Sequence, residues 1–302
     1  MKTLYEVLKE NPGNTRTNIL LNINKLIKQH LGPDMNTCTL SLITNVFNPI
    51  APPLGAMLTP QVMQLAEQAL IKFRAEGCND LYVILSTFGG DIHFPELFMS
   101  KARGLGFERV NIIIPSIAMS AGTLLTMLTD RVIGFSSTSI GPVDPQFILS
   151  TPQGPRIVST IAFKRLIEET LPKLANERGL GPDGLSKLYV AQDLYLYQES
   201  LRSIDYVRHV LSTNLKEKTH EKQEELLNTF LTDVETHGKP FGLQKLEELG
   251  FTVIFLDKEE RYKELSDAII EYYARVEHAF VFELSRGIRL ILIGTPFGEI
   301  IQ

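Results

Sequence analysis

The sequence predicts an α/β protein built on a largely parallel sheet. Three observations carry that reading. LYVILS, VNIII and RVIGF are short apolar runs of strand length, partly β-branched. Segments with apolar residues at helical spacing separate them. The turn after the first run, FGGD, is glycine-rich and tight. A strand–helix–strand–helix–strand order implies parallel pairing through right-handed crossovers.

The elements follow in chain order. LYEVLKE and TNILLNINKLIKQHL read as helices on either side of a break at Asn11-Pro12-Gly13. LSLITNVF reads as a strand, and Pro49, Pro52 and Pro53 mark a loop. Thr59 as N-cap and Pro60 in the first turn open a helix reaching about Ala75, ended by Gly77. After LYVILS, HFPELFMSKARGLG is a helix; after VNIII, AGTLLTMLT is another. Residues 136–155, rich in Ser, Pro and Gly, read as a long loop, and loops of that length are usually functional. Helices then dominate: IAFKRLIEETLPKLANE, a stretch over 184–215 bearing Tyr189, Tyr195, Tyr197 and Tyr206, and HEKQEELLNTFLTDVET. LQKLEELG is a short helix before the strand FTVIFLD. One more helix is expected over 259–276. The apolar runs HAFVFEL and IRLILIGT around Ser285-Arg286-Gly287 then read as a hairpin.

Composition bounds the function. The chain has 302 residues, 44% hydrophobic and 22% charged, an ordinary soluble globular balance that excludes wholesale disorder and fits one or two domains. With 30 basic against 35 acidic residues, the net charge of −5 argues against a dedicated nucleic-acid binder. Cys38 and Cys78 show no paired or ligand-like spacing, so neither a zinc site nor a disulfide framework is expected. His30, His93, His209, His220 and His278 have no partners at metal spacing, and no metal is assigned. The N-terminus has no apolar signal-peptide core, and the cytoplasm is the expected compartment. Residues 110–129 are uncharged and of membrane-span length. Pro115 and the interspersed Asn111, Ser116, Ser120, Thr123 and Thr126 favour a buried strand followed by a buried helix instead, with no membrane span.

Two turns could carry chemistry, because ligands of parallel sheets lie at the carboxyl ends of the strands. In Ser86-Thr87-Phe88-Gly89-Gly90-Asp91, consecutive glycines let the backbone approach a ligand and aim N–H groups at it, as an oxyanion hole requires. The plain alternative is a glycine turn. In Ile117-Ala118-Met119-Ser120-Ala121-Gly122-Thr123, a strand hands over to a helix at Ser120 among small residues. That exposes a hydroxyl at the positive end of a helix, with the Ala121 amide available to an oxyanion. The plain alternative is Ser120 as an N-cap.

Together, LSTFGGDI and VNIIIPSIAMSAGTLLTMLTDRVIGFSSTSIGPVDPQF resemble the Clp-fold serine peptidases of the serine dehydrogenase proteinase family, relatives of the signal peptide peptidase A group and the Clp proteolytic subunit. The resemblance is continuous over about 81–147 and returns at THGKPFGLQKLEELGFTVIFLD. It implies a Clp/crotonase-like β–β–α spiral core with added N- and C-terminal helices. The domain expectation is a helical arm over 1–52, a peptidase domain over 53–257 and a helix-and-hairpin extension over 258–302.

The resemblance also implies roles. Ser120 matches the nucleophile, and Gly90 and Ala121 match the oxyanion donors. The Clp subunit has a His some two dozen residues after its serine, where this chain reads SIGPVDPQF without one. The signal peptide peptidase relatives use a Lys near the start of a downstream helix, the position of Lys164 in STIAFKRLIEE. Arg165 beside it cannot give up its proton. A lysine takes a proton only when neutral, which the neighbouring Ile161, Ala162, Phe163 and Leu166 would favour; the alternative is a lysine snorkelling into solvent. His237 is the rival base, with Asp233 close to it, and Asp144 shapes the turn before Pro145.

The resulting expectation is a serine peptidase acting on peptide or protein substrates, without a cofactor, forming a homo-oligomer and open to gating by a regulatory partner. A catalytically silent Clp-fold scaffold, or an acyl-CoA or other acyl-transfer activity on the same fold, are the alternatives. No basic cluster near the Gly-Gly turn supports the acyl-CoA reading.

Overall fold

A computed structural model describes residues 15–33, 35–46, 57–151, 154–179, 191–215, 219–232, 239–282, 291–295 and 298–301. The chain divides into two units, residues 1–141 with 240–302, and residues 142–239.

The first unit is built on a seven-stranded sheet. Its strands are β1 (Thr37–Thr44), β2 (Asp80–Ser86), β3 (Arg109–Ile114), β5 (Arg131–Gly134), β10 (Val253–Phe255), β11 (Ile291–Thr295) and β12 (Gly298–Ile301), in the order β10-β5-β3-β2-β1-β11-β12. From β10 to β1 the pairing is parallel; β11 and β12 add antiparallel strands beyond β1. The α/β expectation is borne out. β4 (Ile117–Ala118), β6 (Ser139–Ile140) and β9 (Phe241–Gly242) form a second, small sheet. Thus β3 and β5 each continue into a short strand of another layer, the β–β–α pattern of a spiral core.

β1, β2, β3 and β5 are buried almost end to end, β2 at every residue, which is why they read as apolar runs without alternation. Helices supply the rest of the core. Along α1 (Arg16–His30), Ile19, Leu20, Ile23, Leu26 and Ile27 form one buried face, and Thr15 caps the Asn18 amide. They join Leu265, Ile269, Tyr272, Val276 and Phe280 of the C-terminal helix (Lys263–Phe282) in one cluster. The stretches expected as an arm and an extension thus contribute to the same core and sheet. α2 (Pro60–Ala75) is capped by Thr59 as expected. α3 (Phe94–Gly104) and α4 (Ala121–Leu128) follow β2 and β4. Residues 110–129 form a buried strand and a buried helix, and no helix among the described residues is long and apolar enough to cross a membrane.

Four elements differ from the sequence expectation. Residues 278–282 of HAFVFEL are helix and not strand: the C-terminal helix runs to Phe282, because Val276, Ala279 and Phe280 continue its buried face. The hairpin forms instead between β11 and β12; Ser285-Arg286-Gly287 and LYEVLKE lie outside the described residues. The loop over 136–155 contains β6 and most of a hairpin, β7 (Gln146–Thr151) with β8 (Gly154–Ser159). Cys38 and Cys78 are joined in a disulfide. Parallel pairing sets Cys38 beside Leu81, and Cys78 lies just ahead of β2, a proximity created by sheet register and not by sequence spacing.

The second unit holds that hairpin, α5 (Thr160–Arg165), α6 (Leu171–Glu177), α7 (Ala191–Asn214) and α8 (His220–Leu227). A π turn, Leu166–Thr170, joins α5 to α6. It fits the missing amide of Pro172, since the Leu171 amide bonds back five residues to Leu166. Phe147 packs edge-on against Phe163 at 5.7 Å, and Val207, Val210, Leu226 and Phe230 are buried.

At the amino ends of the strands, one buried carboxylate gathers several elements. Asp80 opens β2, Arg109 opens β3 and Arg131 opens β5. The fully buried Asp80 side chain accepts from Arg109 Nη2 at 2.9 Å and from Asn111 Nδ2 at 2.8 Å. Arg131 donates to Asn111 Oδ1, the Tyr82 hydroxyl and the Leu31 carbonyl. Burial, seconded by the Asp80 charge, pushes the Tyr82 hydroxyl up to about 12. Asp80→Ala removes the acceptor of Arg109, one of the two acceptors of the Asn111 amide, and the counter-charge of both Arg109 and Arg131. It is expected to lower the unfolding free energy in urea by about 3 kcal/mol. A change under about 1 kcal/mol would mark the network as an ordinary surface pairing.

Candidate active site

Both candidate turns fall at the carboxyl ends of the parallel strands, in the first unit. After β2 the chain enters Thr87–Asp91; after β3 and β4 it reaches Ser120. Thr87 pairs with Ala118 in a parallel bridge: its amide donates to the Ile117 carbonyl at 3.1 Å, and its carbonyl accepts from Met119 N at 3.0 Å. The buried Thr87 hydroxyl accepts from the Gly89 amide at 3.0 Å and from Thr44 Oγ1 at 3.2 Å, and donates to the Gly89 carbonyl.

A second bridge sets Gly90 against Leu58. Its two bonds run from Leu58 N to the Gly89 carbonyl and from Asp91 N to the Leu58 carbonyl, each 2.9 Å. The Gly90 amide takes no part in either. A Cβ on Gly90 would lie against the Leu58 carbonyl and 2.5 Å from its nitrogen. A Cβ on Gly89, at φ 120°, would lie 2.7 Å from Ser120 Cβ. The two glycines therefore serve two close approaches, one to a neighbouring backbone and one to the serine. Asp91 then turns the chain into α3, its Oδ1 accepting from the His93 amide at 2.8 Å.

Ser120 has φ 51° and ψ −117°, the one non-glycine residue with positive φ among those described. Such a conformation costs on the order of 1–3 kcal/mol and persists only where its surroundings enforce it. Ser120 takes the N-cap position of α4, yet its hydroxyl makes no capping bond; the plain capping explanation therefore fails. Next to it Ala121 begins the helix, where amides lack intrahelical acceptors and the dipole is positive. Gly122 lets α4 close on the first turn, since a Cβ there would meet Thr87 Cγ2 at 2.5 Å. The first unit thus brings Gly89, Gly90, Ser120 and Ala121 into one neighbourhood.

Lys164 belongs to the second unit, on α5. Its ammonium is 2.9 Å from Glu168 Oε2, and its side chain is 38% exposed. The Tyr197 hydroxyl donates to the other Glu168 oxygen at 2.6 Å. That hydrogen bond, then Lys164, holds the Glu168 carboxyl below its usual range. The apolar setting expected for Lys164 is found only in part: Ile161 and Phe163 are buried, but Leu166 and Ala162 face solvent. Asp144 is buried. His237 and Asp233 lie outside the described residues. Among the described residues no group of three His, Cys, Asp or Glu could hold a metal ion.

Sequence reasoning missed Leu58 and gave Thr87 and Thr123, which stand within the two turns, no role of their own. Leu58 acts through its backbone and carries no side-chain signal. Thr87 and Thr123, which donates to the Ala118 carbonyl at 2.6 Å, could have been suspected as small hydroxyl residues inside otherwise apolar strand–turn segments.

No family model matches the chain. Two uncharacterized proteins of Methanocaldococcus jannaschii are similar to it. One is 30% identical over 165 residues, 54% of this chain and 50% of the relative. The other is 29% identical over 146 residues, 48% of this chain and 42% of the relative. The chain spans about half the length of the curated relatives it matches. Among solved structures, a variant of 1510-N, a membrane-bound stomatin-specific protease, matches with a TM-score of 0.42 at 14% identity, over 66% of this chain and 74% of that one. This neighbour is a protease; no residue role is carried over from it.

The glycine geometry is testable on its own. Gly90→Ala is expected to break the Leu58 bridge and destabilise the protein by about 2 kcal/mol. Gly104→Ala, with nothing within 4 Å of the added methyl, serves as the control and should leave thermal stability unchanged or slightly raised. Equal melting temperatures for both variants would show that the bridge contributes little.

Proposed function

We propose that the chain is a serine peptidase in which Ser120 is the nucleophile, the Gly90 and Ala121 amides bind the oxyanion, and Lys164 is the general base. The observation that carries this reading is Ser120 itself: a strained backbone, a hydroxyl not spent on capping, and a Gly-Gly turn against its Cβ. In the proposed reaction Lys164 takes the hydroxyl proton as Ser120 Oγ bonds to the scissile carbonyl carbon. The charge that forms on the carbonyl oxygen is met by the two amides. The lysine returns the proton to the leaving amine, and water then releases the acyl group from Ser120. For this the lysine must part from Glu168, its present partner. His237 and Asp233 remain accessory candidates, and the family resemblance to serine dehydrogenase proteinases supports the same roles.

That ion pair is also the observation favouring a second reading, a catalytically silent scaffold in which Lys164 is an ordinary surface lysine. A fluorophosphonate probe separates the two, since only an activated serine is labelled readily. Ser120→Ala is expected to abolish labelling and hydrolysis of a fluorescent unfolded protein while the fold is retained. Lys164→Ala should lower kcat by about 10²–10⁴-fold, with no rescue by Lys164→Arg and a smaller loss in His237→Ala. Labelling that survives Ser120→Ala would sink the peptidase reading. An active Lys164→Ala beside a dead His237→Ala would move the base to the histidine.

We place the protein in the cytoplasm, acting on peptide or protein substrates and open to gating by a regulatory partner. A disulfide there is unusual outside hyperthermophiles. Self-association is a further part of this reading, drawn from the Tyr-bearing stretch over 189–206 and the apolar C-terminal runs; on α7, Leu194 and Tyr195 are exposed. Light scattering at micromolar concentration should return a multiple of 33.9 kDa, and a monomer mass would reject it.

A further inference from the structure

A tyrosine of the C-terminal helix reaches the two turns of the site from beneath. The Tyr273 hydroxyl shares a 2.9 Å hydrogen bond with Ser86 Oγ, with the Ser116 side chain close enough to act on its ionisation. Ser86 is the last residue of β2 and fully buried; Ser116 lies between β3 and β4. Each serine stands one residue ahead of a bridge: Thr87 follows Ser86, and Ile117, whose carbonyl accepts from Thr87, follows Ser116. The segment held by the phenol therefore runs on to Gly90, and through the Thr87 bridge it is tied to the one that runs on to Ser120. The Tyr273 ring packs against the cluster formed by α1 and the C-terminal helix, so the hydroxyl is held in place. Burial pushes that hydroxyl above its usual range, and it keeps its proton where serine chemistry operates.

We infer that Tyr273 is a positioning residue of the candidate site, its hydroxyl anchoring the end of β2 at Ser86, one residue before the Thr87 bridge, so that the Gly90 amide and Ser120 keep a fixed spacing. The inference rests on the peptidase reading and adds to it a residue some 150 positions from the nucleophile along the chain. Spacing matters because oxyanion donors act over about 2.7–3.1 Å, and a misplacement of about 1 Å costs up to 10²-fold in rate. Tyr273 touches neither substrate nor reacting atoms; it acts through the two turns.

The test uses the full chain and the second-order rate of fluorophosphonate labelling at Ser120, with thermal unfolding measured alongside. Tyr273→Phe keeps the ring and removes the hydroxyl, leaving buried Ser86 short of a partner. Ser86→Ala with Tyr273→Phe removes that orphan as well. Labelling should slow about tenfold in both variants, within the range of small misplacements, while the melting temperature of the double variant returns toward that of the parent. A purely structural role would restore rate and melting temperature together, so a double variant labelled at the parent rate overturns the inference. If Tyr273→Phe does not fold, the double variant decides. A parent that is not labelled at Ser120 removes the peptidase reading and this inference together; a labelled parent with equally labelled variants removes only the role of Tyr273.

Discussion

The site depends on one constraint: the Thr87–Asp91 turn is gripped by backbone on both sides. Thr87 is bridged to Ala118 on one flank, and Gly90 to Leu58 on the other. Because both grips are main-chain hydrogen bonds, the turn has little freedom, and a flexible glycine pair becomes a fixed one. This rigidity gives the strain at Ser120 a use. A serine held at φ 51° needs a neighbour that leaves it no alternative, and Gly89 and Gly122 supply close packing where any side chain would collide.

The two ends of the sheet divide the work. At the amino ends, the Asp80 carboxylate and the arginines opening β3 and β5 fix the strands to each other and to the end of α1. At the carboxyl ends the strands break into a second layer, and groups are held in unfavourable conformations or kept from local bonds. Stability is concentrated at one pole and strain at the other, as expected where a rigid scaffold presents a site.

Much of this was legible. The apolar runs 81–86, 110–114 and 131–135 read as parallel strands because helical segments alternate with them. The Gly-Gly turn and Ser120 stood out because both follow strands directly. What could not be read was anything dependent on register. Leu58 braces Gly90 through its peptide groups; Cys38 and Cys78 meet only because β1 and β2 pair in parallel; Tyr273 reaches Ser86 across 187 positions. The run over 278–282 misled because a buried helix end and a buried strand share an apolar composition, and only its continuity with Ile269 and Tyr272 separates them. The hairpin of 146–159 was hidden because Pro145 precedes it and Pro155 lies within its second strand, where proline normally argues against a strand.

The disulfide has a consequence for the unfolded chain. It closes a covalent ring across a separation of 40 residues, and Leu58 lies inside that ring. Closure of a ring this size removes chain entropy from the denatured ensemble worth about 4 kcal/mol. The segment that braces Gly90 therefore starts refolding already confined near the first two strands. With the thiols reduced, the same segment would have to find Gly90 as the middle of an open polymer. The oxidation state of two cysteines at one pole of the sheet thus bears on how quickly the brace at the other pole re-forms.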